Sequence, residues 1–186
     1  MFIRSERLFL RPGWPEDWPD LLARIADERV VKNLAKAPWP YTEGDARSFA
    51  EKPQDRRCPH FFVTLPGGAA PGELIGCVGL ASVGGEIELG YWFGREHWGR
   101  GFATEAARAV LRLARTLGHT RIVAKHFTDN PASGRVLAKL GFKSSGEVRQ
   151  SYSLARGCTA PALVHSVEFG TSSDCDGDAV EGMRAA

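Results

Sequence analysis

The spacing of apolar and polar positions changes along this chain, and each change marks an element. Ile3, Leu8 and Leu10 alternate loosely and predict one edge strand over residues 3–11, closed by Pro12 and Gly13. The period then lengthens. Leu21, Leu22 and Ile25 share one face of a helix over 18–26, with Asp17 as N-cap and Pro19 tolerated in the first turn. A short helix is expected over 29–34. The prolines of A-P-W-P-Y, residues 37–41, make that stretch a loop. Thr42 opens a further helix through T-E-G-D, which resembles a capping box, and Pro53 ends it.

Strand character begins after Pro59. Residues 60–65, 74–81 and 86–93 predict three strands, separated by the turn P-G-G-A-A-P-G-E and by Gly84-Gly85, and so an antiparallel meander. A long amphipathic helix follows over 103–117. Its apolar positions Ala103, Ala106, Ala107, Val110, Leu111, Ala114 and Leu117 fall at helical spacing, and Gly118 stops it. Residues 122–127 predict a strand. Asn130 then caps a short helix with Pro131 at its first position, Val136, Leu137 and Leu140 facing inward and Gly141 at its end. Two final strands are expected over 142–148 and 162–169. The segment 170–186 is poor in apolar residues and is expected to be disordered.

This order gives an α+β fold with a single mixed sheet in one domain, residues 1–169. Its parallel crossover runs from the third meander strand through the long helix to the next strand, and a ligand belongs outside those strand ends.

Composition narrows the function. A net charge of +2 over 186 residues is too mild for a nucleic-acid partner. No apolar run approaches the ~20 residues that span a bilayer, and the charged start M-F-I-R-S-E-R lacks a signal-peptide core, so a cytoplasmic protein without membrane contact is expected. Cys58, Cys77, Cys158 and Cys175 are scattered and predict reduced thiols. The five histidines are not paired at metal-ligand spacing, so no metal is expected.

The chemistry concentrates in E-I-E-L-G-Y-W-F-G-R-E-H-W-G-R-G-F-A-T-E, residues 86–105. Here a strand ends and Gly99-Arg100-Gly101 opens a helix. Free N–H groups at a helix start bind anions, and glycines let phosphate oxygens approach the backbone. A bound diphosphate is the expectation. No Lys-Ser or Lys-Thr follows the glycines, and Thr104 leaves G-x-G-x-x-G incomplete, so neither a Walker loop nor a dinucleotide fingerprint is present.

These residues, E-L-G-Y-W-F and W-G-R-G-F-A-T-E-A, resemble the A motif of the GNAT acetyltransferases in their RimJ/RimL-like branch. Asn130-Pro131 through Gly141-Phe142 resembles that family's B motif. S-E-R-L-F-L-R-P and P-W-P-Y-T-E-G-D-A resemble its N-terminal half, so the likeness runs over about residues 3 to 169. In the six-residue pyrophosphate signature, Trp98 stands where Gln or Arg is general, with Gly101 and Ala103 at the small positions.

The resemblance implies a GNAT fold: one mixed, mostly antiparallel twisted sheet with a splayed central strand pair and flanking helices. It implies acetyl-CoA as cosubstrate and an amine as acceptor. The strand ending Tyr91, Trp92 and Phe93 would hold the pantetheine arm. Trp98, Gly99, Arg100, Gly101, Phe102, Ala103 and Thr104 would hold the diphosphate. Asn130 would touch the pantetheine, and Ser133 would lie near the thioester sulfur. Arg100, Arg95 or Lys139 would meet the adenosine phosphates.

Transfer needs a base and help for the leaving thiolate. Glu88 is the first candidate base and Glu86, two residues earlier on the same strand face, the second. The family's tyrosine acid corresponds to Leu137, so Ser133 is its substitute, unless its hydroxyl only supports the helix start; Tyr152 is a more distant candidate. Trp39, Pro40 and Tyr41, with Trp14, are candidates for choosing the acceptor. A protein N-terminal α-amine of RimJ/RimL type is the first expectation, and a small-molecule amine the alternative. A non-catalytic acyl-CoA-binding module is the competing function. Exposed edge strands make a homodimer an expectation.

Overall fold

The computed structural model describes residues 1–67 and 72–170. The middle of the turn expected over 66–73, and residues 171–186 of the expected disordered tail, lie outside the described residues. The strands are β1 (Ile3–Arg4), β2 (Phe9–Arg11), β3 (His60–Leu65), β4 (Glu73–Val83), β5 (Glu86–Phe93), β6 (Arg121–Phe127), β7 (Lys143–Ser153) and β8 (Cys158–Glu168). The helices are α1 (Trp18–Ile25), α2 (Glu28–Val31), α3 (Glu43–Ala50), α4 (Phe102–Thr116) and α5 (Pro131–Lys139). The eight strands form one sheet in the order β1-β2-β3-β4-β5-β6-β8-β7. Every neighbouring pair is antiparallel except β5 and β6, which are parallel.

The meander forms as its pattern predicts. Gly84 and Gly85 take φ of 57° and 82°, the left-handed geometry that a two-residue hairpin turn requires, and they place Val83 opposite Glu86. At α3 the Thr42 hydroxyl accepts from the Asp45 N–H, and the Asp45 carboxylate accepts from the Thr42 N–H, closing a capping box.

Two expectations change. The single N-terminal strand is a hairpin of β1 and β2, in which Ile3 faces Leu10 and Arg4 faces Phe9. The Ser5 N–H donates to the Leu8 carbonyl at 2.9 Å, and the Ser5 hydroxyl donates to Glu105 at 2.8 Å. The turn is therefore pinned to a carboxylate on α4. The last two strands are also longer than expected. Most of β7 is exposed and polar, so it carries no apolar alternation to read. Pro161 in β8 lies just past Ala162, the last residue paired with β6, where a missing N–H is tolerated.

The sheet has two covered faces. Ala106, Val110 and Ala114 of α4 and Leu137 of α5 pack with Leu89, Phe93, Ile122 and Ala124 on one face. Leu21, Ile25, Val30, Val31, Ala46 and Ala50 of α1, α2 and α3 pack with Phe62 and Trp92 on the other. Alternation along β5 thus sends Leu89, Tyr91 and Phe93 toward α4 and α5, and sends Glu86, Glu88 and Trp92 toward α1–α3. Among the described residues, no helix is long and apolar enough to cross a membrane.

Candidate active site

The parallel neighbours β5 and β6 pair at a single position, Glu88 opposite Val123. Beyond it the strands part, and the unpaired edge of β5 from Leu89 to Phe93 opens on a cavity of about 440 Å³. The cavity reaches from the start of α4 to the residues after α2, Asn33, Leu34 and Ala35.

One end is the glycine loop. Gly101 caps α4 in left-handed geometry, φ 81°, without any side-chain cap. The first intrahelical bond is from the Glu105 N–H to the Gly101 carbonyl at 3.1 Å. The N–H groups of Phe102, Ala103 and Thr104 precede it and have no intrahelical acceptor. Their residues line the cavity together with Trp98, Gly99 and Gly101. Such a helix start suits a diphosphate. The Trp98 indole N–H donates to the Phe93 carbonyl at 2.8 Å, which ties the loop to the end of β5 and gives this aromatic residue a reason to stand at the signature's first position.

Arg100 is set apart from this group. It does not line the cavity; its carbonyl accepts from Arg7 at 3.1 Å, and its guanidinium lies 4.8 Å from the centre of the Phe102 ring. Lys139 borders both the cavity and a neighbouring cleft lined by Arg7, Arg108, Gly101 and Thr104, whereas Arg95 borders neither. The sequence did not assign Arg7 or Arg108 to the site, because nothing local announces that the β1–β2 turn folds against α4.

The middle of the cavity holds a pair of hydroxyls. Tyr91 Oη lies 2.8 Å from Ser133 Oγ. Burial pushes the Tyr91 phenol up to about 12, outweighing the opposite effect of the Ser133 bond, so Tyr91 keeps its proton at neutral pH. The Ser133 N–H donates to Asn130 Oδ1 at 3.3 Å, which makes Asn130 the cap of α5 and fixes where Ser133 begins the helix. Leu137, one turn on, is fully buried. His126 backs α5 from below: its ring stacks on His165 at 5.0 Å, and a Cβ at Gly134 would come within 2.8 Å of its Nε2. Glycine there lets α5 close on β6.

The other face carries charge. Glu88 Oε2 is 2.8 Å from Lys125 Nζ, and both line the cavity. Glu86 does not line it. Arg121 at 2.9 Å and Arg149 at 3.1 Å engage its carboxylate, and their hydrogen bonds hold its pKa below the usual carboxylate range. Trp92 and Phe93 line the cavity from the strand end, and Asn130 and Ser133 from α5.

The aromatic loop is elsewhere. Tyr41 is buried in the α1–α3 core, and Trp14, Trp39 and Pro40 do not border the cavity. The nearby wall is instead made by Asn33, Leu34 and Ala35.

Known proteins agree with this architecture. Residues 7–143 match the Acetyltransferase (GNAT) domain family. An uncharacterized N-acetyltransferase of Bacillus subtilis, YoaA, is 41% identical over 172 residues, covering 89% of this chain and 95% of that protein. The ribosomal-protein-serine acetyltransferase of Escherichia coli is 31% identical over 83 residues, 42% of this chain and 46% of that one. The crystal structure of a GNAT-family acetyltransferase from Bacillus anthracis superposes with a TM-score of 0.77 at 26% identity, over 90% of this chain and 98% of that one. The chain belongs to the GNAT acetyltransferase family and is an acetyl-CoA-dependent N-acetyltransferase.

Proposed function

We propose that this enzyme acetylates the α-amine of a protein N-terminus, with Glu88 as base and Ser133, held by Tyr91, as the group that meets the leaving sulfur. The observation that carries this reading is the division of the splay. Glu88 approaches it from the α1–α3 face, and the Tyr91–Ser133 pair from the α4–α5 face.

Acetyl-CoA supplies the acetyl group as a thioester. The N–H groups at the start of α4 suit its diphosphate, and the open edge of β5 suits the amides of its arm. Glu88 takes a proton from the acceptor ammonium, leaving a nitrogen lone pair free to attack. Its pairing with Lys125 does not forbid this, since a partly exposed ion pair is worth about 0–1 kcal/mol and opens readily. Either hydroxyl of the pair can donate; with Tyr91 as the donor to Ser133 Oγ, the Ser133 proton is directed at the sulfur as the carbon–sulfur bond breaks.

A protein α-amine has a free pKa of about 7.7–8.0, well below that of a lysine side chain, and asks little of a carboxylate base. The partial match to a ribosomal-protein-serine acetyltransferase supports the same acceptor. Mass spectrometry of peptides incubated with enzyme and acetyl-CoA tests it. Acetyl on the α-nitrogen supports the reading; acetylation confined to polyamines or aminoglycosides replaces it with a small-molecule acceptor. Tight acetyl-CoA binding with no turnover of any amine would favour a binding module.

A further inference from the structure

The acceptor side of the splay is short of negative charge. Among the described residues that line the cavity, Glu88 is the single carboxylate, against Lys125, Arg135 and Lys139. Lys139 also borders the cleft beside α4 and belongs to that end. Lys125 stands at the other end, on the same face as Glu88 and 2.8 Å from it.

The surroundings repeat the pattern. Glu86 is matched by Arg121 and Arg149, Glu147 by Arg149, and Asp129 by Arg156. The wall of Asn33, Leu34 and Ala35 is flanked by Lys32 and Lys36, both exposed and in no ion pair among the described residues. Glu28, a turn before Lys32 on α2, does not border the cavity.

We infer that the acceptor is an acidic N-terminal peptide, whose α-ammonium takes the place of Lys125 on Glu88 while one of its first side-chain carboxylates takes the place of Glu88 on Lys125. The charged ends of Glu88 and Lys125 are close enough for one short segment to reach both. Such an acceptor exchanges one ion pair for two and leaves the site balanced. A polycation would set its surplus charge against Lys125, Lys32 and Lys36. The inference rests on the N-terminal acceptor proposed above.

The test uses three peptides that share an N-terminal Ala and differ at positions two and three, carrying Asp, Ala or Lys, with spermidine and an aminoglycoside alongside. Wild type, Lys125→Met and Lys125→Glu are compared by kcat/KM. The ratio between peptides on one preparation cancels any change in folded fraction. In wild type the Asp peptide should exceed the Ala peptide about five-fold, with the Lys peptide slowest, a preference of the size that a partly exposed charge pair supplies. Added salt should narrow it. Lys125→Met should flatten the order and Lys125→Glu should reverse it. Equal kcat/KM for the three peptides in wild type, or the wild-type order kept in Lys125→Glu, overturns the inference while the N-terminal acceptor stands. Turnover of spermidine or the aminoglycoside without any peptide, or no turnover of any peptide, overturns both.

Discussion

Tyr91 on β5 and Ser133 on α5 meet hydroxyl to hydroxyl at 2.8 Å, across the cavity that the parting of β5 from β6 creates. Burial keeps the phenol protonated, so either hydroxyl can donate in this bond, and with Tyr91 as the donor the Ser133 proton is directed onward. Removing the tyrosine hydroxyl should act only through the serine. Ser133→Ala should lower kcat about a hundred-fold and Tyr91→Phe about ten-fold, within the range of acid catalysis. In the double variant, Tyr91→Phe should add nothing to the loss from Ser133→Ala. Steady-state kinetics of the four proteins measures this; additive losses would mean that Tyr91 acts independently of Ser133.

Asn130 sets the start of α5. Asn130→Ala should cost about 1 kcal/mol in chemical unfolding, because the Ser133 N–H loses its acceptor. Asn130→Asp keeps an oxygen there and should retain most of that stability. Since the cap also places Ser133, kcat should fall in Asn130→Ala and recover in Asn130→Asp. Equal stability of all three proteins would remove the capping argument.

His60 gives stability a pH dependence. Burial in β3, with Lys52 adding to it, depresses its pKa from 6.5 to about 4. Between those values the unfolded chain binds the proton and the folded protein does not. Stability therefore rises with pH through this window, by at most about 1.4 kcal/mol per unit from this group. Above 6.5 the effect is absent, and below 4 it is complete. Burial, with His126 beside it, lowers His165 in the same direction. Denaturant unfolding at pH 5, 6 and 7.5 should show the loss toward acid, and His60→Gln should have a shallower slope. A slope unchanged by His60→Gln would contradict this.

Sequence pattern alone was enough wherever the forces are local. β3 and β5 run over the residues expected for them, and α4 differs by one residue at each end. The glycine loop was legible because turn geometry and a bare helix start are written in neighbouring residues; all its expected members but Arg100 line the cavity. What escaped was set by distant partners. Ser5 turns the N-terminal strand into a hairpin through Glu105, far along the chain. Lys125 reads as an ordinary strand residue until the register of Glu88 against Val123 brings it to the cavity. Tyr91 was expected only as part of the strand end that holds the pantetheine arm, and its side chain finds Ser133 only once α5 lies over β5.

In the proposed mechanism Glu88, and not Glu86, is the base. The direct measurement is release of free thiol from acetyl-CoA in the presence of an N-terminal peptide, for wild type, Glu88→Gln and Glu86→Gln, with acetyl-CoA binding followed by calorimetry. Glu88→Gln should lose about a hundred-fold or more in kcat, as loss of a general base does, with acetyl-CoA affinity unchanged. Glu86→Gln should stay within a few-fold of wild type, since Arg121 and Arg149 hold that carboxylate away from the cavity. Wild-type turnover in Glu88→Gln, or an equal collapse in Glu86→Gln, would contradict the account.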